Sequence, residues 1–212
     1  LCNLGTIQRR QGKKQEALVS YTAALSRHPK SVTILENRAS LYTELGEIDK
    51  AINDYNALLI VDPEHQESLY ARGLLYLAQK KYAAAEGDFD KILQLNEKSV
   101  LARMGYAILE KTRGNYDESE RIYNYLIDKM PRDWILYEGR ADLYFLMGKN
   151  ARAMNDINRI FVESEPTASL YILRGKVKLA QYEKESAKND FLKAQEMGYD
   201  QTIVNELLRM CE

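Results

Sequence analysis

Four arginines and four aspartates recur at one fixed spacing and are the charged residues best placed to do chemistry. Each aspartate follows its arginine by sixteen residues, in Arg38 with Asp54, Arg72 with Asp88, Arg140 with Asp156, and Arg174 with Asp190. A guanidinium can hold an anionic ligand, or it can pair with a carboxylate inside the fold. The equivalent positions Leu4 with Ser20, and Tyr106 with Ile122, lack both charges. Because the charges are present or absent together, we predict structural ion pairs within about 4 Å, with all eight groups largely buried.

Residues that commonly perform acid–base, nucleophilic or metal chemistry are sparse. His28 and His65 are the only histidines, and neither has a second histidine, cysteine or carboxylate at metal-ligand spacing. Cys2 and Cys211 lie at opposite ends of the chain and form no redox motif. There is no phosphate-cradling glycine loop and no recognisable nucleophile motif. The sequence therefore predicts a protein that is not an enzyme and needs neither metal nor cofactor.

Composition limits the remaining function classes. The chain is 45% hydrophobic and 29% charged, as is usual for a folded protein, and its net charge of −1 argues against nucleic-acid binding. Its apolar runs are too short to insert into a membrane. No signal peptide is visible, and the chain starts at Leu1. We therefore expect a soluble protein, either cytoplasmic or, if a signal peptide precedes this start, periplasmic.

Small and large residues recur together along the chain. A small residue returns every 34 residues, at Gly5, Ala39, Gly73, Ala107, Ala141 and Gly175. A second small series follows twelve residues later, at Ala17, Ala51, Ala85, Ser119, Ala153 and Ala187. A large residue comes four positions after that, at Tyr21, Tyr55, Phe89, Tyr123, Ile157 and Phe191. Small residues let two antiparallel helices approach closely, while the large side chain fills the gap beside them. The pattern predicts six helix–turn–helix units.

This pattern resembles the tetratricopeptide repeat family over almost the whole chain. In one unit the matching residues are Leu35, Ala39, Tyr42, Ala51, Tyr55 and Pro63. The resemblance implies an all-α superhelical solenoid of antiparallel helix pairs, formed by a single array over 1–212. The expected parts are units 1–31, 32–65, 66–99, 100–133, 134–167 and 168–201, and a capping helix over 202–212. One face of that capping helix should comprise Ile203, Val204, Leu207 and Leu208. Proline closes three units at the same position, whereas Pro166 comes one residue late.

In the resembling family, the first helix of each unit lines a concave groove. Carried over to this chain, the partner-binding positions are Tyr70, Leu74, Leu77, Met104, Ile108, Glu138, Asp142 and Phe145. An apolar strip with an acidic edge suits a peptide or an amphipathic helix. Alternatively, the curvature of the array buries some of these side chains against neighbouring units.

The predicted function is therefore a non-enzymatic scaffold that binds a protein or peptide segment in the concave groove. The alternative is a structural or assembly spacer within a larger protein. Family members that bind chaperone tails hold a terminal carboxylate with a lysine, asparagine and arginine set. In this chain the positions that correspond to that set carry Cys2 and Thr6, Glu36 and Ser40, and Tyr70 and Leu74. We expect no such clamp.

Overall fold

The computed structural model describes residues 1–212 and contains α-helices but no β-strand. The helices are α1 (Cys2–Arg10), α2 (Lys14–Arg27), α3 (Val32–Glu44), α4 (Ile48–Val61), α5 (Gln66–Ala78), α6 (Tyr82–Leu95), α7 (Val100–Arg113), α8 (Tyr116–Lys129), α9 (Trp134–Leu146), α10 (Asn150–Glu163), α11 (Ala168–Ala180), α12 (Lys184–Glu196) and α13 (Gln201–Arg209). Odd-numbered helices from α1 to α11 are the first helices of the hairpins, and α2 to α12 are the second helices. The predicted all-α fold of repeated helix pairs is confirmed.

The chain forms two compact units, Leu1–Leu109 and Glu110–Glu212, whose boundary falls inside α7. In the first unit, α1 packs on α2, α3 on α4, and α5 on α6. In the second unit, α9 packs on α10 and α11 on α12, and α13 covers α12. In these five hairpins the first helix is thus paired with the second helix that follows it, as the repeat pattern predicts.

The turn inside each hairpin requires a residue with positive φ. Glycine supplies it at Gly12, Gly46, Gly114 and Gly148, where φ lies between 69° and 87°. The next residue then closes the helix end, as where the Glu47 N–H donates to the Tyr42 carbonyl at 2.9 Å. Lys80 and Tyr182 hold the same position with φ of 58° and 66°, although a Cβ disfavours this conformation. The packing of the hairpin therefore overrides residue preference at these two turns.

Close contact between a small residue on the first helix and a ring on the second forms the centre of a hairpin. A Cβ added at Gly73 would lie 2.5 Å from the Phe89 ring, and one at Gly175 would lie 2.4 Å from the Phe191 ring. Phe89 is fully buried and belongs to the same core cluster as Ile92. The absence of a side chain on the first helix is what allows each ring to occupy the centre.

Four-residue linkers join each second helix to the next first helix, and one linker differs from the others. In the linkers that begin at His28, Asp62, Asn96 and Met130, the last N–H donates to the first carbonyl at 2.9–3.4 Å. Proline is the second residue in three of them, as a β-turn favours. In the linker 164–167 proline is the third residue, and Pro166 disfavours the α conformation at Glu165. Ser164 has ψ of 164°, against 69–99° at the four equivalent residues, and the linker is extended without the turn hydrogen bond.

The last helix covers α12 with one apolar face. Val204 and Leu207 are 0% and 8% exposed, and Leu208 packs against the same core cluster. Ile203 is 42% exposed, so its assignment to this face is wrong. None of the helices combines the length and the apolar character needed to cross a bilayer.

Candidate functional site

The four arginine–aspartate pairs expected from the sequence each lie inside one hairpin. From arginine Nη2 to aspartate Oδ1 the distances are 2.7 Å for Arg38–Asp54, 2.5 Å for Arg72–Asp88, 2.8 Å for Arg140–Asp156 and 2.5 Å for Arg174–Asp190. The arginine Nε donates to the other carboxylate oxygen in every pair, so each contact is bidentate. The aspartate side chains are 5–8% exposed, whereas the arginines keep 16–21%. All eight side chains are therefore largely buried, and the carboxylates more completely than the guanidiniums.

The arginines also contact the preceding hairpin, which the sequence reasoning missed. Nη1 of Arg72 donates to Oδ1 of Asn56 at 2.7 Å. Equivalent bonds join Arg38 to Thr22 and Arg140 to Asn124. Tyr106, which stands in an arginine position, donates its hydroxyl to Asp90. A signal for these contacts existed, because small polar residues recur every 34 positions at Thr22, Asn56, Asp90, Asn124 and Asn158. Three of the four guanidiniums are thus hydrogen-bonded on two sides within the fold, which favours a structural role.

Burial affects the protonation of the Arg72–Asp88 pair. Desolvation raises the pKa of the Asp88 carboxyl, even though two hydrogen bonds from Arg72 oppose the shift. Desolvation lowers the pKa of the Arg72 guanidinium, but the hydrogen bonds to Asp88 and the negative charge of Asp88 together outweigh it, and the net shift is upward. Arg72 therefore stays charged, and Asp88 is the member that can lose its charge in acid. Such a pair adds little net stability, whereas loss of one member leaves a stranded charge.

In the first unit, four of the expected groove residues are half-buried and one is not accessible. Tyr70 and Leu74 on α5 and Met104 and Ile108 on α7 each keep part of their surface exposed. Leu77 is only 5% exposed because it packs in the core cluster around Phe89, so its assignment to the groove is wrong. Tyr70, Leu74 and Ile108 also pack against that cluster, whereas Met104 is not among its residues. Burial raises the pKa of the Tyr70 hydroxyl accordingly.

In the second unit, the two acidic residues on α9 that were expected in the groove have different partners. Oδ2 of Asp142 accepts a hydrogen bond from Nζ of Lys111 at 2.5 Å, and the Asp142 side chain is 41% exposed. Oε1 of Glu138 accepts one from Oγ of Ser169 at 2.6 Å. Phe145 is half-buried on the same helix. The charge of Asp142 is therefore balanced by an ammonium group, whereas Glu138 has only a neutral partner.

Two cavities in the second unit share Glu138 as a wall. The larger, about 500 Å³, we name the linker pocket, and its lining includes Arg132, Trp134, Ile135, Glu138, Glu165 and Thr167. The smaller, about 280 Å³, lies further along α9 and α11, and its lining includes Glu138, Asp142, Ser169, Ile172, Lys176 and Tyr199. Sequence reasoning identified Glu138 and Asp142 but not the linker pocket, for which the late Pro166 was the available signal.

The histidines and cysteines have simple surroundings. His28 is exposed, and Nδ1 of His65 caps α5 by accepting the Ser68 N–H at 3.3 Å. Cys2 and Cys211 are free thiols. No group of three or more His, Cys, Asp or Glu residues is arranged to hold a metal ion.

The basic turn near the start of the chain is matched by an acidic side chain. Nε of Arg9 donates to Oε1 of Glu44 at 2.9 Å, and Nζ of Lys14 lies 3.5 Å from Oε2. Partial burial opposes ionisation of Glu44, but these two cations lower the pKa of its carboxyl. Part of the basic charge is thus used within the first unit.

The periodic hairpins, their small-to-large packing and the linkers between them define an all-α repeat scaffold. The tetratricopeptide repeat model matches residues 2–56, 37–100 and 107–169. The chain belongs to the tetratricopeptide repeat family. Proteins of this family are generally non-catalytic scaffolds, suited to protein–protein interaction.

The chain is similar to a solved structure and to longer curated proteins. A crystal structure of a tetratricopeptide repeat protein from Parabacteroides merdae is 73% identical, with a TM-score of 0.93 over 99% of this chain and 82% of that chain. Human tetratricopeptide repeat protein 6 is 27% identical over 84% of this chain and 33% of its own length. The Hsp70-Hsp90 organizing protein of Triticum aestivum is also 27% identical, over 84% of this chain and 37% of its own length. The chain thus spans about a third of these two curated relatives.

Proposed function

We propose that the chain binds a peptide or helical segment of a protein partner along the exposed side of its first helices, and that it has no catalytic role. One observation carries the proposal. Tyr70, Leu74, Met104 and Ile108 leave apolar surface exposed on two first helices. Covering such surface with a partner is favourable, and large apolar side chains usually dominate interface energy. Charged side chains such as Asp142 mainly tune orientation and association rate.

A spacer role is the second candidate. The chain spans about a third of each of the two curated relatives named above, as a module within a longer protein would. A spacer would retain no specific protein when it is immobilised, whereas a scaffold would. The capture experiment below therefore distinguishes the two functions.

Chaperone-tail binding is not part of the proposal, although one relative is named as an Hsp70-Hsp90 organizing protein. Recognition of a terminal carboxylate needs cationic or amide donors. Two of the corresponding slots carry Glu36 and Tyr70, which do not supply a cation. A peptide with a free terminal carboxylate and the same peptide with a terminal amide should bind equally weakly in calorimetric titration. A tenfold preference for the carboxylate, about 1.4 kcal/mol, would contradict this expectation.

Capture of partners by the immobilised chain tests the groove. The test variant carries Met104→Gln and Phe145→Ser, because neither residue belongs to the core cluster around Phe89. Serine at Tyr70 would leave a void beside that cluster and confuse binding with stability. The matched control carries Ile60→Gln and Val162→Gln, which alter side chains that are 82% and 84% exposed on second helices.

We expect proteins enriched on the native chain from a host-cell lysate to fall about tenfold on the test variant and to persist on the control. Circular dichroism should show that both variants keep their helices. If the folded test variant captures the same proteins as the native chain, the groove proposal is wrong. If the native chain enriches nothing over the blank resin, the spacer role is favoured instead.

A further inference from the structure

The linker 164–167 forms one wall of the linker pocket. Because it is extended and lacks the turn hydrogen bond of the other four linkers, its backbone follows a different path. Thr167, which caps the N-terminus of α11, has ψ of 163°, against 93–109° at the equivalent Ser31, His65 and Asp133. The pocket of about 500 Å³ lies between this linker and the start of α9. The pocket lies at the linker in which proline stands one position later than in the three other proline-containing linkers.

The floor and rim of the pocket offer apolar surface. Ile135 is 66% exposed and lines the pocket together with Trp134, the only tryptophan of the chain. Ile160 and Leu170, which are 4% and 1% exposed, line its inner side. An aliphatic side chain placed here would lose water against four apolar residues.

The charged lining is predominantly acidic. The carboxylate of Asp133 caps α9 by accepting the Ile135 N–H at 3.2 Å. Glu165 is exposed, and it makes no ion pair within the protein. Glu138 has one oxygen committed to Ser169 and no cationic partner. Against these three carboxylates the pocket presents one guanidinium, that of Arg132.

A chain of hydroxyls sets the orientation of the Glu138 carboxylate. Thr167 Oγ1 accepts the Leu170 N–H at 3.1 Å and lies 2.8 Å from Ser169 Oγ. Because the Ser169 hydroxyl donates to Glu138, the Thr167 hydroxyl donates to Ser169. Both hydroxyls belong to the residues where the extended linker ends and α11 begins. Because Ser169 occupies Oε1 of Glu138, Oε2 remains available as an acceptor.

We propose that the linker pocket receives a bulky aliphatic side chain of the bound segment, and that an adjacent lysine or arginine pairs with Glu138 and Glu165. The inference rests on the proposed scaffold function and specifies part of its ligand. Charge complementarity selects the occupant, since an acidic rim around an apolar cavity favours a basic amphipathic segment over an acidic one.

Trp134 provides a direct reporter because its indole lines the pocket. We would titrate the chain with two helical model peptides, one of leucine and lysine and one of leucine and glutamate, and follow tryptophan emission. The lysine peptide should shift the emission and the glutamate peptide should not. Glu138→Gln should weaken binding about tenfold, because the amide can keep the Ser169 hydrogen bond but loses the charge. Glu206→Gln, on the exposed side of α13, should have no effect.

A second variant tests the role of the linker without removing an acidic residue. Exchanging two neighbours, as Glu165→Pro with Pro166→Glu, places proline and glutamate as Pro63 and Glu64 stand in the linker 62–65. The turn should then form, and the lysine peptide should bind at least tenfold more weakly while helicity is retained.

The outcomes separate this inference from the proposed function. If the lysine peptide binds without moving Trp134 emission, or if Glu138→Gln and the exchanged linker both bind normally, the linker pocket is not its site. Equal binding of the two peptides, or no emission change up to about 1 mM of either, would also overturn the inference. The capture experiment with Met104→Gln and Phe145→Ser decides the scaffold function independently, since neither residue lines this pocket.

Discussion

Replacing Asp88 by isoleucine should destabilise the chain, because the change leaves the Arg72 guanidinium without its carboxylate partner inside the hairpin. The Asp88 side chain is 7% exposed and accepts two hydrogen bonds from Arg72, whose side chain is 19% exposed. After Asp88→Ile the guanidinium keeps only Asn56 as a hydrogen-bond acceptor. Removal of one member of a buried pair costs about 3–5 kcal/mol. Because water reaches a fifth of Arg72, we expect a smaller loss, about 2–3 kcal/mol.

Urea unfolding, followed by circular dichroism, measures this loss as a shift of the midpoint at constant slope. The matched variant adds Arg72→Tyr to Asp88→Ile and so copies the Tyr106 and Ile122 of another repeat. The new hydroxyl can donate to Asn56, as that of Tyr106 donates to Asp90. We expect the double variant to recover at least about 1.5 kcal/mol relative to the sum of the single changes.

Two results would refute the reasoning. One is a free energy of unfolding for Asp88→Ile within about 0.5 kcal/mol of the native chain, which would mean that the guanidinium is not stranded. The other is a double variant whose loss equals the sum of the two single losses, which would mean that the residues do not interact.

Three further predictions concern the turns, the hairpin centres and acid stability. Tyr182→Gly should stabilise the chain by about 0.5–1 kcal/mol, because it removes a side chain from a turn with φ of 66°; an unchanged urea midpoint would contradict this. Gly73→Ala should lower the free energy of unfolding by about 1–3 kcal/mol, since the added Cβ would lie 2.5 Å from the Phe89 ring. Phe89→Leu in the same chain should recover part of this loss. Equal losses with and without Phe89→Leu would exclude the clash. Burial opposes ionisation of Glu120, but Lys149 and other partners lower its pKa below the ordinary 4.5, so its contribution is present above pH 4.5 and is lost as pH falls through the lower folded value. Glu120→Gln should flatten this part of the acid-unfolding curve, and identical curves would disprove it.

Properties that depend on spacing along the chain could be predicted from the sequence. Small residues 34 positions apart predicted the helix hairpins, because close approach of two helices needs a missing or short side chain. The joint presence or absence of arginine and aspartate sixteen positions apart predicted which residues face each other across a hairpin. Both inferences work because each repeat folds from local contacts that the same positions make in every unit. The groove residues themselves remain a prediction.

Accessibility and the path of the linkers were decided by tertiary packing. Leu77 occupies a helix position expected to face the groove, yet the cluster around Phe89 encloses it, because burial depends on which neighbouring helix covers a given side chain. The recurrence of small polar residues included Asn56, but only the packing of successive hairpins shows that Asn56 accepts a hydrogen bond from Arg72. Pro166 was visibly out of register in the sequence, but a cavity exists only where the extended linker and α9 stand apart in space. Spacing specifies which residues are equivalent, whereas exposure and cavities arise from how successive hairpins pack.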